Sequence, residues 1–142
     1  MSTNISIKRI DDHVNFEAVN SRGKSILMDG TDKIGGKGNG VSPMETLLMG
    51  LAGCSGIDVV LILKKMKQQI DDIQMDVSAE IEKMGDYKRY STINVHFNIW
   101  GDIKEKKVEK AIKMSIEKYC SVAKTLEKAS DITSTYTLNP EK

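Results

Sequence analysis

Two cysteines, two prolines and a single tryptophan in 142 residues deny this chain the raw material of several protein classes. One pair of thiols is too few for a disulfide scaffold, and a chain of this length builds a core without staples. Net charge is scarce as well, since 21 Lys and Arg against 20 Asp and Glu leave +1. With no basic field, and no basic residues interleaved with aromatics, nucleic-acid binding is not expected. The most apolar stretch, Leu47 to Leu63, is broken by Asp58 and several small residues, so no membrane span is expected. The opening residues, MSTNISIKRIDDHVNFEAV, lack the apolar run of a secretory signal. A cytoplasmic chain with reduced thiols follows as the expectation. Thiols kept reduced are either inert core residues or chemistry.

What is present reads as one α+β domain, residues 1–142. Apolar and polar residues alternate over the first thirty positions, through Ile5, Ile7, Ile10, Val14, Phe16, Ala18, Ile26 and Met28. The pattern predicts two or three short strands with turns at "DD" and "NSRGK". "DGTDKIGGKGNG" then predicts a mobile loop; it lacks the Lys-Ser/Thr of a phosphate loop and is read as a plain connector or, failing that, a flexible lid. Long strands follow in "DIQMDVSAEIEK" and "YSTINVHFNIWG", joined at "MGDYK". In the second, Ile93, Val95, Phe97 and Ile99 share one face, with Asn94, His96 and Asn98 on the other. Val108, Ile112, Ile116, Tyr119, Ala123 and Leu126 keep helical spacing and predict one helix from Lys104 to Lys128. Lys-rich "KEKKVEKAIK" is its solvated face, and "DITSTYTL" is a last strand. His13 and His96 read as strand-surface residues, and no Cys-x-x-Cys or His-x-x-x-His spacing points to zinc. No resident cofactor is called for.

Between the two halves, Ser42, Pro43 and Glu45 sit at the N-cap, first and third positions of a capping box. The helix they open is expected to run to Lys67 or Gln69, ending in a Lys-rich turn. Gly50, Gly53 and Gly56 recur within it, and each costs about 1 kcal/mol relative to alanine. Close approach by a neighbouring backbone would explain that cost. Leu47, Leu48, Leu51, Ile57, Val59, Val60, Ile62 and Leu63 cover most other directions. A helix buried on nearly all sides implies a partner subunit. Cys54 lies among the small residues, too far from the helix start for the dipole to ionise it. A charged Asp58 one turn on would disfavour the thiolate, so a reactive Cys54 needs a cation, from among Arg22, Lys24, Lys88, Arg89 and Lys118.

"SPMETLLMGLAGCSGIDVV" together with "EKYCSVAKTLEKASDI" closely resembles the OsmC/Ohr family of osmotically induced and organic-hydroperoxide-resistance proteins. The nearest branch is the OsmC-like one with Pro-Met-Glu ahead of the first cysteine. The two motifs occur in order, with their cysteines 66 positions apart, and "ILMDG" before the Gly-rich loop also fits. The resemblance implies an OsmC-like fold of antiparallel sheets around a long buried central helix, in an intertwined homodimer with active sites at its interface. It also implies a peroxidatic Cys54, attacking the O–O bond of an organic hydroperoxide, and a resolving Cys120 that closes a disulfide for an external dithiol reductant to reopen.

The chain departs from the peroxide-active pattern in three places. Met44 follows the helix-opening proline where those members carry Glu, leaving Glu45 one place later as the acid that would orient an arginine. Arg22 is a loose match to their N-terminal arginine. Ser121 follows Cys120 where Cys-Pro is usual. Two other readings stay open. In one, the chain is a non-catalytic dimeric protein binding an apolar small molecule beside Cys54, with Met44, Met49 and leucines as lining. In the other, Cys54 carries sulfur or an acyl group.

Overall fold

Alternation along the first thirty residues gives three short strands in the computed structural model, which describes residues 1–142. They are β1 (Ile5–Arg9), β2 (Phe16–Asn20) and β3 (Ser25–Met28), an antiparallel meander with Ile7, Ala18 and Ile26 in one cross-strand row. Both turns are fixed by a side chain accepting from backbone N–H groups. Asp11 Oδ1 takes those of His13 and Asn15 at 2.9 and 3.1 Å, and Asn20 Oδ1 takes those of Arg22 and Lys24 at 2.9 Å. Gly23 supplies the positive φ, 77°, that the second turn needs.

The glycine-rich segment is pinned, where the composition predicts a mobile loop. Buried Asp29 accepts from the N–H groups of Gly30, Lys37 and Asn39 at 2.8, 3.1 and 3.0 Å. The Asn39, Lys37 and Gly30 amides hold its carboxyl below the ordinary carboxylate range, against the opposing effect of burial. A Cβ on Gly36 would collide with the Gly30 carbonyl, so the loop closes tightly on itself. Ile34, in a single 3₁₀ turn at Asp32–Ile34, packs over the Gly30 backbone. One acid with three donors turns a flexible composition into a fixed shape.

By its contacts the chain falls into two compact units, Met1–Leu48 and Met49–Lys142. Helix α1 (Pro43–Lys65) starts in the first and continues through the second. The rest of the second unit is β4 (Gln69–Met84), β5 (Tyr87–Asp102), α2 (Glu105–Met114), a π-helical turn (Ser115–Tyr119), α3 (Ser121–Leu126) and β6 (Asp131–Leu138). β4 and β5 form a hairpin whose two-residue turn has Gly85 at φ 72°. β5 alternates as its sequence predicts, burying Ile93, Val95, Phe97 and Ile99. On its other face, His96 bonds Thr135 and Thr137 at 2.7 and 3.0 Å, and Asn94 bonds Thr133 at 2.9 Å. The second sheet is mixed, where antiparallel sheets are expected: β6 runs parallel to β5, Thr92 opposite Asp131 through Ile99 opposite Leu138. The helical segment returns the chain to the starting end of β5, and a parallel neighbour requires such a crossover.

That helical segment is broken where periodicity predicts one helix. The Cys120 N–H reaches the Ser115 carbonyl at 2.7 Å, a five-residue step, and Cys120 itself is extended, with φ −71° and ψ 105°. The wide turn shifts the helical phase by one residue. Tyr119, expected in the core, is 49% exposed, and Cys120 takes the buried position beyond Ile116 and before Ala123.

Helix α1 differs from expectation too. It buries one stripe, Leu51, Ser55, Val59 and Leu63, at four-residue spacing, with Gly56 beside it. The opposite stripe is open, with Met49 51%, Ile57 63% and Leu61 56% exposed. Only Gly56 meets a neighbour, the Met75 side chain of β4, whereas a Cβ on Gly50 or Gly53 would face open space. Burial on nearly all sides is therefore not a property of the single chain. By length and composition α1, 23 residues with a most apolar window of mean hydropathy 2.0, could also span a bilayer, contrary to the shorter run read from the sequence. Asp58 and the fully buried stripe mark it as a core helix with one uncovered side.

Candidate functional site: a cysteine pair beside Asp58

Cys54 and Asp58 are one turn apart, so α1 presents both on one flank, between its buried and open stripes. The π-helical turn delivers Cys120 to the same place. The two Sγ atoms and an Asp58 carboxylate oxygen all lie within 4.8 Å of one another. Cys54 and Asp58 are half-buried and Cys120 is fully buried. Such wide turns recur at functional sites, where they re-aim a side chain that a regular helix would misplace.

Hydrogen bonds fix the surroundings. Ser115 Oγ lies 3.0 Å from Asp58 Oδ2 and 3.3 Å from the Ser55 carbonyl, tying the π turn to α1. Cys120 is the N-cap of α3, and its Sγ accepts from the Ala123 N–H at 3.4 Å. Ser121 is the first residue of that helix, a position where proline is favoured, so serine keeps the backbone that Cys-Pro would have. Burial pushes the Cys120 thiol up to about 11, the neighbouring Cys54 adds to this, and the Ala123 amide opposes it. Cys120 is held as a neutral thiol, while Cys54 meets solvent.

This asymmetry makes the first prediction. A small alkylating reagent labels Cys54 of the folded, reduced protein well before Cys120, as timed peptide mapping would show. Because the folded thiol holds its proton above the ordinary 9.0, its contribution to stability is full below that pH and is lost as pH rises through about 11. Urea midpoints should therefore fall more steeply over that window in the native chain than in Cys120→Ala.

Asp58 also borders a depression of about 650 Å³ lined by Leu61, Ile62, Lys64, Lys65 and Tyr119. Of the residues singled out from sequence, the structure joins Cys54 to Cys120. Glu45 lies in the first unit, where its carboxylate accepts from the Ser42 N–H at 3.0 Å, as the capping box predicts. Arg22 lies in the exposed β2–β3 turn of that unit. Among the other cations, Arg89 is held by Glu82 at 2.9 Å and Lys118 stacks 5.1 Å from the centre of the Tyr119 ring. Sequence reasoning missed Ser115, and it weighed Asp58 only as an obstacle to ionising Cys54. The four-residue step from Cys54 to Asp58 was the available signal for the latter; nothing singled out Ser115.

A half-buried thiol on a long helix, facing a buried thiol on a second element, defines an α+β protein with a paired-cysteine site. The chain belongs to the OsmC-like protein family, whose model matches residues 36–135. Among curated relatives, it is 43% identical over 122 residues to Protein YhfA of Escherichia coli (strain K12), covering 85% of this chain and 87% of that one. A hypothetical protein from Aquifex aeolicus VF5 superposes with a TM-score of 0.84 at 28% identity, over 100% of this chain and 99% of that one. An organic hydroperoxide resistance protein OsmC from Legionella pneumophila has the same fold, with a TM-score of 0.73 at 15% identity, over 94% of this chain and 96% of that one.

Proposed function

We propose that the protein is a thiol-dependent reductase of organic hydroperoxides, working through Cys54 and Cys120. The observation that carries this reading is the convergence of two thiols of unequal exposure within 4.8 Å. Cys54 thiolate attacks the peroxide O–O bond, forming sulfenic acid and, with one proton, releasing the alcohol; sulfur is oxidised by two electrons and the peroxide reduced by two. Cys120 then displaces the sulfenic hydroxyl as water, and the disulfide forms at about 2.05 Å. A dithiol supplied from outside returns both thiols, so no resident cofactor is needed. A buried resolving thiol stays reduced until its partner is oxidised, which suits this order. The family includes a member named for organic hydroperoxide resistance, which supports the substrate class. In this reading the reducing cytoplasm is where the couple cycles.

The open stripe of α1 supports a homodimer. Met49, Gly50, Gly53, Ile57 and Leu61 fall on one side of the helix, apolar and uncovered, with no side chain at the glycines to hold a second helix away. Gly53→Leu, which has room in the single chain, should shift the protein from dimer to monomer in sedimentation velocity. An unchanged sedimentation coefficient at dimer mass would remove this face from the interface.

One observation favours a second reading. The depression beside Asp58, about 650 Å³ with Leu61, Ile62 and Tyr119 in its wall, could hold an apolar small molecule. Turnover decides between the two. Cumene hydroperoxide with excess dithiol should be consumed catalytically, many molecules per chain, whereas a binding protein consumes none.

A further inference from the structure

Cys54, Asp58 and Cys120 together resemble something neither cysteine motif announces. We propose that these three side chains form a three-ligand site for a thiophilic divalent cation of the zinc type. All three ligand atoms lie within 4.8 Å of one another. On a tetrahedral zinc shell, with Zn–S near 2.3 Å and Zn–O near 2.1 Å, such atoms stand roughly 3.5–3.8 Å apart. Closing that gap takes small side-chain rotations. Two thiolates and a carboxylate favour zinc, cobalt or cadmium over magnesium or calcium, which take oxygen ligands.

The surroundings suit a ligand set. Cys54 and Asp58 come from adjacent turns of one rigid helix, and Cys120 is locked by its own backbone bond to Ser115 at 2.7 Å. Ser115 Oγ sits 3.0 Å from Asp58 Oδ2 and orients the carboxylate, and the Ala123 N–H at 3.4 Å steadies the Cys120 sulfur. Outer partners of this kind fix ligand geometry in metal sites. Cys120 is buried while Cys54 and Asp58 reach solvent, so the fourth position is open to water, as in sites with three protein ligands.

Binding releases the two thiol protons to solvent and changes no oxidation state. It needs both sulfurs reduced, so oxidation to the Cys54–Cys120 disulfide removes two of three ligands and expels the cation. Cation and peroxide therefore compete for the same sulfurs. The site does not depend on peroxide turnover, and it stands or falls separately.

The test titrates the reduced, full-length protein anaerobically with Co²⁺ alone. The expected result is a thiolate-to-cobalt charge-transfer band saturating at one ion per chain and abolished by added Zn²⁺. Cys54→Ser and Cys120→Ser each reduce the band to its one-thiolate intensity. Asp58→Asn keeps the two-thiolate band but weakens affinity, and Ser115→Ala weakens it about 10–100-fold, with native circular dichroism in each variant. No band in the reduced native protein overturns the proposal. So does unchanged affinity in Asp58→Asn, which would leave a bare dithiol, or a band that survives loss of both cysteines.

Discussion

Cys54→Ser should lower hydroperoxide turnover by at least about three orders of magnitude, because the attacking atom is gone and the thiol that remains, Cys120, is buried and held neutral. Serine keeps the size and the position on α1, so the fold stays and circular dichroism is unchanged. The loss falls on kcat/KM, measured with cumene hydroperoxide and a dithiol. Cys120→Ser gives a different failure. Cys54 still reacts once, at a rate near that of the native chain, and then stops as sulfenic acid, which a dimedone-type reagent traps and intact mass reveals. A Cys54→Ser variant that keeps native turnover would end the reductase reading.

Phe97→Ala should cost about 3–5 kcal/mol of unfolding free energy, the largest loss expected of any truncation to alanine away from the site. Phe97 is the largest fully buried side chain. It lies mid-strand in β5, between β4 and β6, paired with Met75 on one side and Tyr136 on the other. Deleting its ring leaves a cavity that neighbours on a hydrogen-bonded ladder cannot collapse to fill. Its neighbour Asn98 faces the other side of the sheet and bonds Asp76 at 3.0 Å in an exposed position, so Asn98→Ala should shift stability by no more than about 1 kcal/mol. Urea unfolding monitored by circular dichroism separates the two. Equal losses would mean that the two faces of β5 contribute alike, contrary to the burial pattern.

Local signals in the sequence carried far. The two faces of β5 follow from strict alternation over Ile93 to Ile99, and the start of α1 from Ser42, Pro43 and Glu45, because both depend on residues a few positions apart. The two cysteine motifs gave the family, and the structure brings their two sulfurs within 4.8 Å of each other. Three features were out of reach for physical reasons. The π-helical turn at Cys120 leaves helical spacing almost intact on either side, so a one-residue change of phase is invisible to a periodicity count. Asp29 pins the glycine-rich loop through backbone N–H groups as distant as Asn39, and composition records flexibility without recording what restrains it. β6 beside β5 in parallel is a matter of topology, which neither strand's pattern encodes. Conversely, the apolar residues of α1 read as buried all round, while the chain alone covers one stripe. Hydrophobicity reports that a surface is to be covered, not which chain covers it.

The most direct test of the paired-thiol account is a non-reducing peptide map of the reduced protein after one equivalent of cumene hydroperoxide. Both free thiols should be lost rapidly, with one new cross-linked species joining the peptides of Cys54 and Cys120, absent from Cys54→Ser. Thiols that stay reduced, or that oxidise no faster than in urea-unfolded chain, would contradict it.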